Sequence, residues 1–593
     1  MQGRLARSRT DSGEAGGAGG LGAWLSIIAV VHKRLMSLGR LAICAATCVA
    51  ATLSLLSASA AAPGFGAVTL APAGAPAPVI ISLKDWVAMP ITGKVDGKGQ
   101  TDGMLARVNS LREEPGGRRY FINDLNGPLY ILDKSSKTFT TYLDFNGRDR
   151  RPGLFHKLAY DTGYAGGLVA VQFDPDYSHN GRFYTVHVED PALPGSNAPD
   201  NTNAPGLNLR GYTNTRPIPT PGDTLREGVL IEWTDTNTTN ATFEGTAREV
   251  MRISLNTRIH PLGDLVFNPR ARRGDADWRV LYIGCGDGGS GESRLSTRTN
   301  PQRLDTLVGK VLRVIPDLSE HTSTSTVGEN GRYRVPNDNP YVSTRGARGE
   351  IWAYGLRNPH RLHWAIDPAT RANDRLIADS VGLHTWEAVY IIHKGANYGY
   401  SQREGNETLQ PDNKTTALPP LDRIPVLTGE TTTDGTVAPT YPVIQYGHVA
   451  GGGDAIGSGV LYRGSLVPAL RGKYIFTDLT TGHVWFADYR EMLAADDGNP
   501  RTLAQIHEVK LQWTDPNGGG DAALFDTVKP ITKTAYFARG GRLPDLPGRG
   551  TVSGLGRADV HVAVDGAGEL YLFSKTDGMI RAVVGGAVLP DTR

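Results

Sequence analysis

The sequence predicts an all-β fold made of many short strands separated by tight turns. Runs in which apolar and polar residues alternate recur along the chain, for example "GRFYTVHVED", "WRVLYIGCGD" and "GELYLFSKTDGMIRAVV". No segment after Pro63 keeps an apolar period of 3.6 residues over several turns, so helix is expected to be a minor component. The 73 glycines and 37 prolines are interleaved with Val, Ile, Tyr and Trp, which is typical of frequent turns.

The strands share a local pattern that predicts hairpins. In "DPDYSHNGRFY" and "VDGAGELY", Asp and Asn can bond nearby backbone amides and Gly accepts a positive φ. Strand–turn–strand units continue over most of the chain without βαβ alternation, which favours a propeller over a sandwich or barrel. Four polar stretches are predicted to be long loop insertions: Pro191 to Thr246, Asp317 to Ala347, Asn406 to Tyr441 and Asp515 to Gly550.

The first part of the chain has the pattern of a leader. Residues 1–62 are predicted to be an N-terminal extension and secretory signal peptide, and residues 63–593 a single propeller domain. Arg40 precedes an apolar run that ends in small residues, and Met36 is a better start for such a leader than Met1. The alternative is an uncleaved membrane anchor. We expect a periplasmic or secreted protein that has no membrane contact in its mature form.

Composition narrows the classes of partner and the sources of stability. The chain has 62 Lys and Arg against 60 Asp and Glu, with no long basic block, so neither nucleic acid nor an anionic membrane surface is indicated. A small-molecule partner is expected instead. Removal of the leader leaves Cys285 as the single cysteine, so stability is expected to come from core packing rather than an intramolecular disulfide.

Several common catalytic motifs are absent or out of context. "GCGDGG", residues 284–289, matches G-x-G-x-x-G after a strand, but the sequence that follows has no helical period, so a dinucleotide site is not predicted. The same loop lacks the Gly-Lys-Ser/Thr of a phosphate loop. The chain also has no C-x-x-C-H for covalent haem and no G-x-S-x-G elbow.

Polar residues at strand ends are the candidates for chemistry. His260 comes just before a strand in "RIHPLGDLVF", and Asp287 ends the next strand in "LYIGCGDGG". Two successive strands of one sheet would bring them together, and a carboxylate could then orient the imidazole as a base. Arg357 and Asn358 precede Pro359 in "YGLRNPHRLHWAID", and together they suit a planar anionic ligand rich in oxygen. The alternatives are ordinary turn residues and a surface ion pair.

Six segments in order carry a resemblance to a known family. They run from about Asn123 to Val584: "GGLVAVQFDPDYSHNGRFYTVHVE", "RIHPLGDLVFNP" with "LYIGCGDGGSGE", "IWAYGLRNPHRLHWAID", "DSVGLHTWEAVYIIHKGANYGYSQREG", "GSGVLYRGSLVPALRGKYIFTDLTTGHVWFADY" and "DVHVAVDGAGELYLF". With these segments the chain resembles the soluble quinoprotein glucose dehydrogenase and aldose sugar dehydrogenase family, also called glucose/sorbosone dehydrogenases.

The resemblance implies a fold, two cofactors and a reaction. It implies a six-bladed β-propeller that binds pyrroloquinoline quinone (PQQ) and Ca²⁺ and oxidises a sugar or related alcohol, passing electrons to an external acceptor. His260 is implied as the base and Asp287 as its orienting partner. Arg357 and Asn358 are implied to bind the quinone oxygens, and the backbone carbonyls at 381–382, Val381 and Gly382, to hold the calcium ion.

The chain also departs from the family pattern. Thr480 stands where the best-known members have a Lys for the quinone, and Arg557 stands alone where they have two Arg residues; both are expected to contact the cofactor. Glu292 replaces a sugar-binding glutamine and is expected to contact substrate. Two other functions stay open: a propeller that binds carbohydrate or protein without catalysis, and a metal-assisted hydrolase in the same central cavity.

Overall fold

Six antiparallel sheets, each with four main strands, follow one another along the chain. The computed structural model describes residues 78–97, 101–161, 164–449, 452–550, 554 and 556–589. The innermost strands of the sheets contact one another in a closed ring, and the last of them returns to the first. The prediction of a six-bladed β-propeller is therefore confirmed, and the sheets are called blades 1 to 6 in chain order.

Within each blade the four main strands are ordered from the innermost strand outward. Their bounds are, for blade 1, Val108–Glu113, Arg119–Asp124, Pro128–Asp133 and Phe139–Asp144; for blade 2, Leu168–Phe173, Arg182–Glu189, Arg226–Asp235 and Gly245–Leu255; for blade 3, Leu262–Phe267, Leu281–Cys285, Lys310–Val314 and Ile351–Tyr354; for blade 4, Pro359–Ala365, Arg375–Ser380, Trp386–Ile391 and Ile444–Gly447; for blade 5, Ile456–Leu461, Lys473–Asp478, Val484–Asp488 and His507–Trp513; for blade 6, Val560–Val564, Leu570–Ser574, Met579–Val588 and Val79–Ala88.

The N-terminal strand closes the ring. Val79–Ala88 pairs antiparallel with Met579–Val588 of blade 6 and parallel with His507–Trp513 of blade 5. Pairing the first and last described strands in one sheet covers strand edges that would otherwise be unpaired. All described residues belong to one compact unit that spans 65–593. The predicted leader lies outside the described residues.

Helices and extra strands are short and lie between or beside the main strands. The helical segments are Arg148–Arg150, Tyr177–Asn180, Ser290–Glu292, Ser296–Gln302, Arg371–Asn373, Pro468–Leu470, Tyr489–Ala495 and Lys529–Ala538. The extra strands are Leu207–Asn208, Ser325–Val327, Arg334–Pro336, Arg403–Glu404, Glu407–Leu409, Thr415–Thr416, Ile424–Leu427, Thr433–Val437 and Ala523–Phe525. Within the described ranges no helix has the length and apolar character needed to cross a membrane.

Two of the four predicted insertions are wrong in extent. The stretch from Pro191 to Thr246 contains a main strand of blade 2, Arg226–Asp235, whose apolar residues are shielded between neighbouring blades. The polar residues on both sides of this strand led to its single short apolar run being read as part of a loop. The stretch from Asp515 to Gly550 contains the helix Lys529–Ala538, which buries Ile531 and Tyr536. One helix of 10 residues is too short to produce a sustained helical period.

Side chains from non-adjacent blades meet on the axis of the propeller. Arg361 of blade 4 donates from Nη2 to the carbonyl oxygen of Asn109 in blade 1, at 2.6 Å. Arg112 of blade 1 pairs with Asp264 of blade 3 at 2.6 Å. These residues line a cavity of about 270 Å³. The chain enters every innermost strand at the same end of the ring, which is called the entry end below.

Candidate active site

His260 lies at the entry end of blade 3, two residues before its innermost strand. Its backbone has φ of 53°, a left-handed conformation that His adopts more readily than most side chains. The carbonyl oxygen of His260 accepts the N–H of Gly288 at 3.0 Å, which fixes this turn against the loop after the second strand. The imidazole Nδ1 lies 2.7 Å from Oδ1 of Asp287, and the side chain is 10% exposed. The backbone and the imidazole of His260 are therefore both held by hydrogen bonds, and part of the side chain remains accessible to solvent.

Asp287 is buried and held by its own loop. Its Oδ1 accepts the N–H of Gly289 at 2.8 Å, and its Oδ2 accepts the N–H of Gly291 at 2.9 Å. Burial alone would raise the pKa of Asp287, but His260, Arg357 and the Gly289 amide outweigh it and hold the pKa below its ordinary value. Gly289 has φ of 72°, and an added Cβ would lie 2.2 Å from the Thr257 hydroxyl, so the loop requires glycine there.

Glu292 joins the His260 pair to the predicted quinone-binding arginine. Its Oε1 lies 4.0 Å from Nδ1 of His260 and accepts from Nη2 of Arg357. The side chain of Glu292 is 28% exposed, and its Oε2 makes no hydrogen bond with any described residue. Burial lowers the pKa of Arg357 but the charge of Glu292 raises it, and the net result lies above the ordinary value. The arginine therefore stays a cation.

The predicted calcium ligands contact the same arginine. Nη1 of Arg357 donates to the carbonyl oxygen of Val381 at 3.2 Å and to that of Gly382. In this arrangement the two carbonyls do not fit a calcium ion, since a cationic group already occupies the position between them. Across the described part of the chain, no three His, Cys, Asp or Glu side chains are grouped as a metal site.

The other predicted cofactor contacts lie at the entry end of blades 4, 5 and 6. Asn358 is 8% exposed, and its carboxamide makes no hydrogen bond with a described residue. Thr480 is fully buried, and its hydroxyl has no hydrogen-bond partner among the described residues. Arg557 pairs with Asp559 at 3.1 Å and lies over the ring of Tyr164. No hydrogen bond or ion pair among described residues joins Thr480 or Arg557 to His260.

Sequence reasoning missed two residues that come from the segment after the third strand of blade 4. The ring of Tyr400 packs against Gly291, and its hydroxyl is buried without a hydrogen-bond partner in the described ranges. Oε1 of Glu404 accepts the backbone N–H groups of four consecutive residues, 383–386, at 2.8 to 3.1 Å. Both residues lie in "GANYGYSQREG", which carried the resemblance, but their roles depend on how this segment folds back over the entry end.

The donors and cations at the entry end fit a planar, oxygen-rich anion. The hydroxyls of Thr480 and Tyr400 are buried without partners in the described part of the chain, and the Asn358 amide is free to donate. Buried polar atoms are almost always hydrogen-bonded, so such atoms in one region indicate a binding site. Arg357 and Arg557 supply positive charge nearby. The residues present therefore fit a quinone cofactor better than they fit a metal ion.

Comparison with known proteins gives a family and several relatives. The family model described as Glucose / Sorbosone dehydrogenase matches residues 115–510, which is more than half of the chain. HIPL1 protein of Arabidopsis thaliana is 25% identical over 394 residues, covering 64% of this chain and 52% of that protein. The chain thus spans about half the length of this relative. Human Hedgehog-interacting protein is 27% identical over 309 residues, covering 50% of this chain and 36% of that protein.

Relatives named as dehydrogenases match as well. Aldose sugar dehydrogenase YliI of Escherichia coli is 32% identical over 146 residues, covering 25% of this chain and 30% of that protein. A PQQ-bound aldose sugar dehydrogenase from Streptomyces coelicolor is 16% identical with a TM-score of 0.45, covering 86% of this chain and 99% of that chain. From the extent of the family match, we conclude that the chain belongs to the glucose/sorbosone dehydrogenase family.

Proposed function

We propose that this protein oxidises a CH–OH group of a sugar or related alcohol, with PQQ as the bound electron acceptor and His260 as the general base. One observation carries the proposal: the hydrogen bond of 2.7 Å between His260 Nδ1 and Asp287, whose two oxygens are fixed by backbone amides. A base that is itself oriented by a buried carboxylate is a recurrent arrangement in proton abstraction. Membership of the family supports the reaction class.

The chemistry assigned to this chain is the removal and holding of a proton. Because Asp287 engages Nδ1, the other ring nitrogen, Nε2, is left to take the proton from the substrate hydroxyl. The carbon–hydrogen bond then breaks with its electron pair, and a carbonyl forms on the substrate. PQQ, when bound, supplies the two-electron acceptor for that hydride. Asp287 stabilises the imidazolium, and the pKa of this carboxyl, below its ordinary value, keeps it ionised in that role.

Glu292 and Arg357 have complementary roles in the proposal. Oε2 of Glu292 has no partner among described residues and is partly exposed, so it accepts a hydrogen bond from a second substrate hydroxyl. The Arg357 guanidinium would help to hold the quinone oxygens, and its positive charge would favour electron uptake by the bound cofactor. Its Nε is buried without a partner in the described ranges, and Nε is one of the donors not already committed to Glu292, Val381 or Gly382.

The experiment is a titration of the purified chain with PQQ, followed by dye-linked assays with a panel of aldoses and alcohols. We expect saturable PQQ binding and substrate-dependent dye reduction. His260→Ala should abolish turnover without removing PQQ binding, because the imidazole acts on the substrate proton. Absence of PQQ binding and of activity over the whole panel would refute the proposal.

A second candidate is a propeller that binds a carbohydrate or protein without catalysis. Two observations favour it. The Arg357 guanidinium is bonded to Glu292 and to two backbone carbonyls, so only Nε and one N–H of Nη2 remain for a quinone. The relatives HIPL1 and Hedgehog-interacting protein are not named as enzymes. In this case the wild-type protein should bind a glycan or protein partner with an affinity that His260→Ala leaves unchanged.

A further inference from the structure

Four basic side chains from three blades lie buried at the entry end, around the axis. Arg107 precedes the innermost strand of blade 1, and Arg361 is in that of blade 4. In blade 6, Arg557 precedes the innermost strand and Lys575 follows the second strand. They are between 1% and 8% exposed. The charges of all three arginines act on the Lys575 ammonium. These four residues, called the axial cation cluster, come together only through closure of the ring.

Within the axial cation cluster, the Lys575 ammonium lacks a carboxylate partner of its own. Asp559 already pairs with Arg557 at 3.1 Å and is also the carboxylate that most attracts Lys575. Lys575 and Arg361 make no ion pair within 4.0 Å in the described ranges of the chain. Burial lowers the pKa of Lys575 to about 7, with a further contribution from Arg361 and a counter-effect from Asp559. An unpaired buried ammonium is unfavourable for folding, so its presence needs another explanation.

Groups next to Lys575 also lack partners. His561 is fully buried, and neither of its ring nitrogens has a hydrogen bond to a described residue. The Thr480 hydroxyl is also buried without a hydrogen-bond partner among the described residues. Thr480 and Lys575 both contact the linker 557–559, which leads into the innermost strand of blade 6. The N–H of Ala558 donates to the Thr480 carbonyl at 3.2 Å, and the N–H of Lys575 donates to the Asp559 carbonyl at 3.1 Å. Polar groups without partners and an ammonium without an ion pair in the described ranges therefore adjoin this linker at the entry end; this region is called the axial site.

We propose that Lys575 is an anion-binding residue of this site, and that its ammonium contacts a carboxylate of the bound ligand together with Arg361 and Arg557. The identity of that ligand as the tricarboxylate PQQ rests on the proposed function. A lysine kept for binding and not for folding is expected to lower the stability of the ligand-free protein. Replacing Lys575 by a neutral residue should therefore weaken ligand binding without lowering the stability of the ligand-free protein.

The test compares Lys575→Met, which is similar in size and neutral, with Lys575→Arg, which keeps the charge. Two probes are titrated by calorimetry at pH 6, where the ammonium is charged: PQQ and the redox-inactive benzene-1,3,5-tricarboxylate. We expect Lys575→Met to bind each probe that the wild type binds about 10- to 100-fold more weakly, and Lys575→Arg to stay within a few-fold of wild type. The melting temperature of ligand-free Lys575→Met should equal or exceed that of wild type.

Lys310 provides a matched control, because it is also fully buried but its ammonium donates to the carbonyls of Asn300, Pro301 and Val308 at 2.6 to 3.2 Å. Lys310→Met should lower the melting temperature and leave the affinity of the folded protein unchanged. The inference is overturned if Lys575→Met binds as wild type does, if it melts several degrees lower, or if wild type binds neither probe. Binding of benzene-1,3,5-tricarboxylate that depends on Lys575, without binding of PQQ, would support the inference and refute the proposed function.

Discussion

Asp287→Asn is the substitution that most directly perturbs the proposed base. The Asp287 carboxylate is fully buried and lies 2.7 Å from Nδ1 of His260. When His260 takes a proton, two unit charges whose centres are about 4 Å apart interact by about 4 kcal/mol at an effective dielectric constant of ~20. Asparagine keeps the shape and one acceptor oxygen but removes this charge. Since each 1.36 kcal/mol is tenfold in rate, kcat should fall by about 10²- to 10³-fold.

The same substitution has a smaller expected effect on folding. Asparagine has one oxygen where aspartate has two, so the N–H of Gly289 or Gly291 loses its acceptor, at a cost of about 1–3 kcal/mol in unfolding free energy. The assay is dye-linked aldose oxidation under saturating substrate and PQQ, with denaturant unfolding measured alongside. Asp264→Asn, which changes another buried axial carboxylate away from His260, serves as the control. A loss in kcat of less than tenfold for Asp287→Asn would show that His260 does not act as a carboxylate-assisted base.

Three further predictions concern titration, loop anchoring and export. Burial raises the pKa of Asp379 to about 7, so between pH 4 and 7 the folded state keeps a proton that the unfolded state releases. The unfolding free energy should therefore fall by roughly 3–4 kcal/mol as pH rises through this window, and Asp379→Asn should remove that dependence in unfolding curves taken from pH 4 to 8. Glu404→Ala leaves four backbone N–H groups without their acceptor and should lower the unfolding free energy by about 2–4 kcal/mol. Glu404→Gln keeps an acceptor oxygen and should recover much of this loss. Equal losses in the two variants would contradict the anchoring role of this side chain. Expression with the native N-terminus should give an exported protein that begins near Pro63 on N-terminal sequencing, and a membrane-bound product that retains residue 40 would favour an anchor instead.

The parts of the fold that depend on local chemistry could be predicted from the sequence. Alternating runs and Asp-Asn-Gly turns indicated the hairpins, because side-chain period and turn conformation are properties of neighbouring residues. The adjacency of His260 and Asp287 followed from the same reasoning, since consecutive antiparallel strands place their ends together. The strand Arg226–Asp235 was missed because its burial comes from neighbouring blades rather than from its own flanks.

Two features of the site could not be predicted from the sequence. Val381 and Gly382 were expected to face a calcium ion, but side-chain identity does not determine where a backbone carbonyl points, and Arg357 contacts both. Lys575 lies 18 residues after Arg557 and is remote in sequence from Arg361, yet all three surround one axis. Such residues come together only in the closed propeller, and no local sequence pattern predicts that they are close.

The central claim is that this member of the glucose/sorbosone dehydrogenase family binds a quinone at the entry end and uses His260 to deprotonate an alcohol. The most direct measurement is a PQQ titration of the purified chain, with reduction of the bound quinone followed by absorbance after addition of an aldose. We predict saturable binding and substrate-dependent reduction in wild type, and binding without reduction in His260→Ala. The claim would be contradicted if the wild-type protein does not bind PQQ. It would also be contradicted if PQQ binds but no aldose or alcohol reduces the bound quinone.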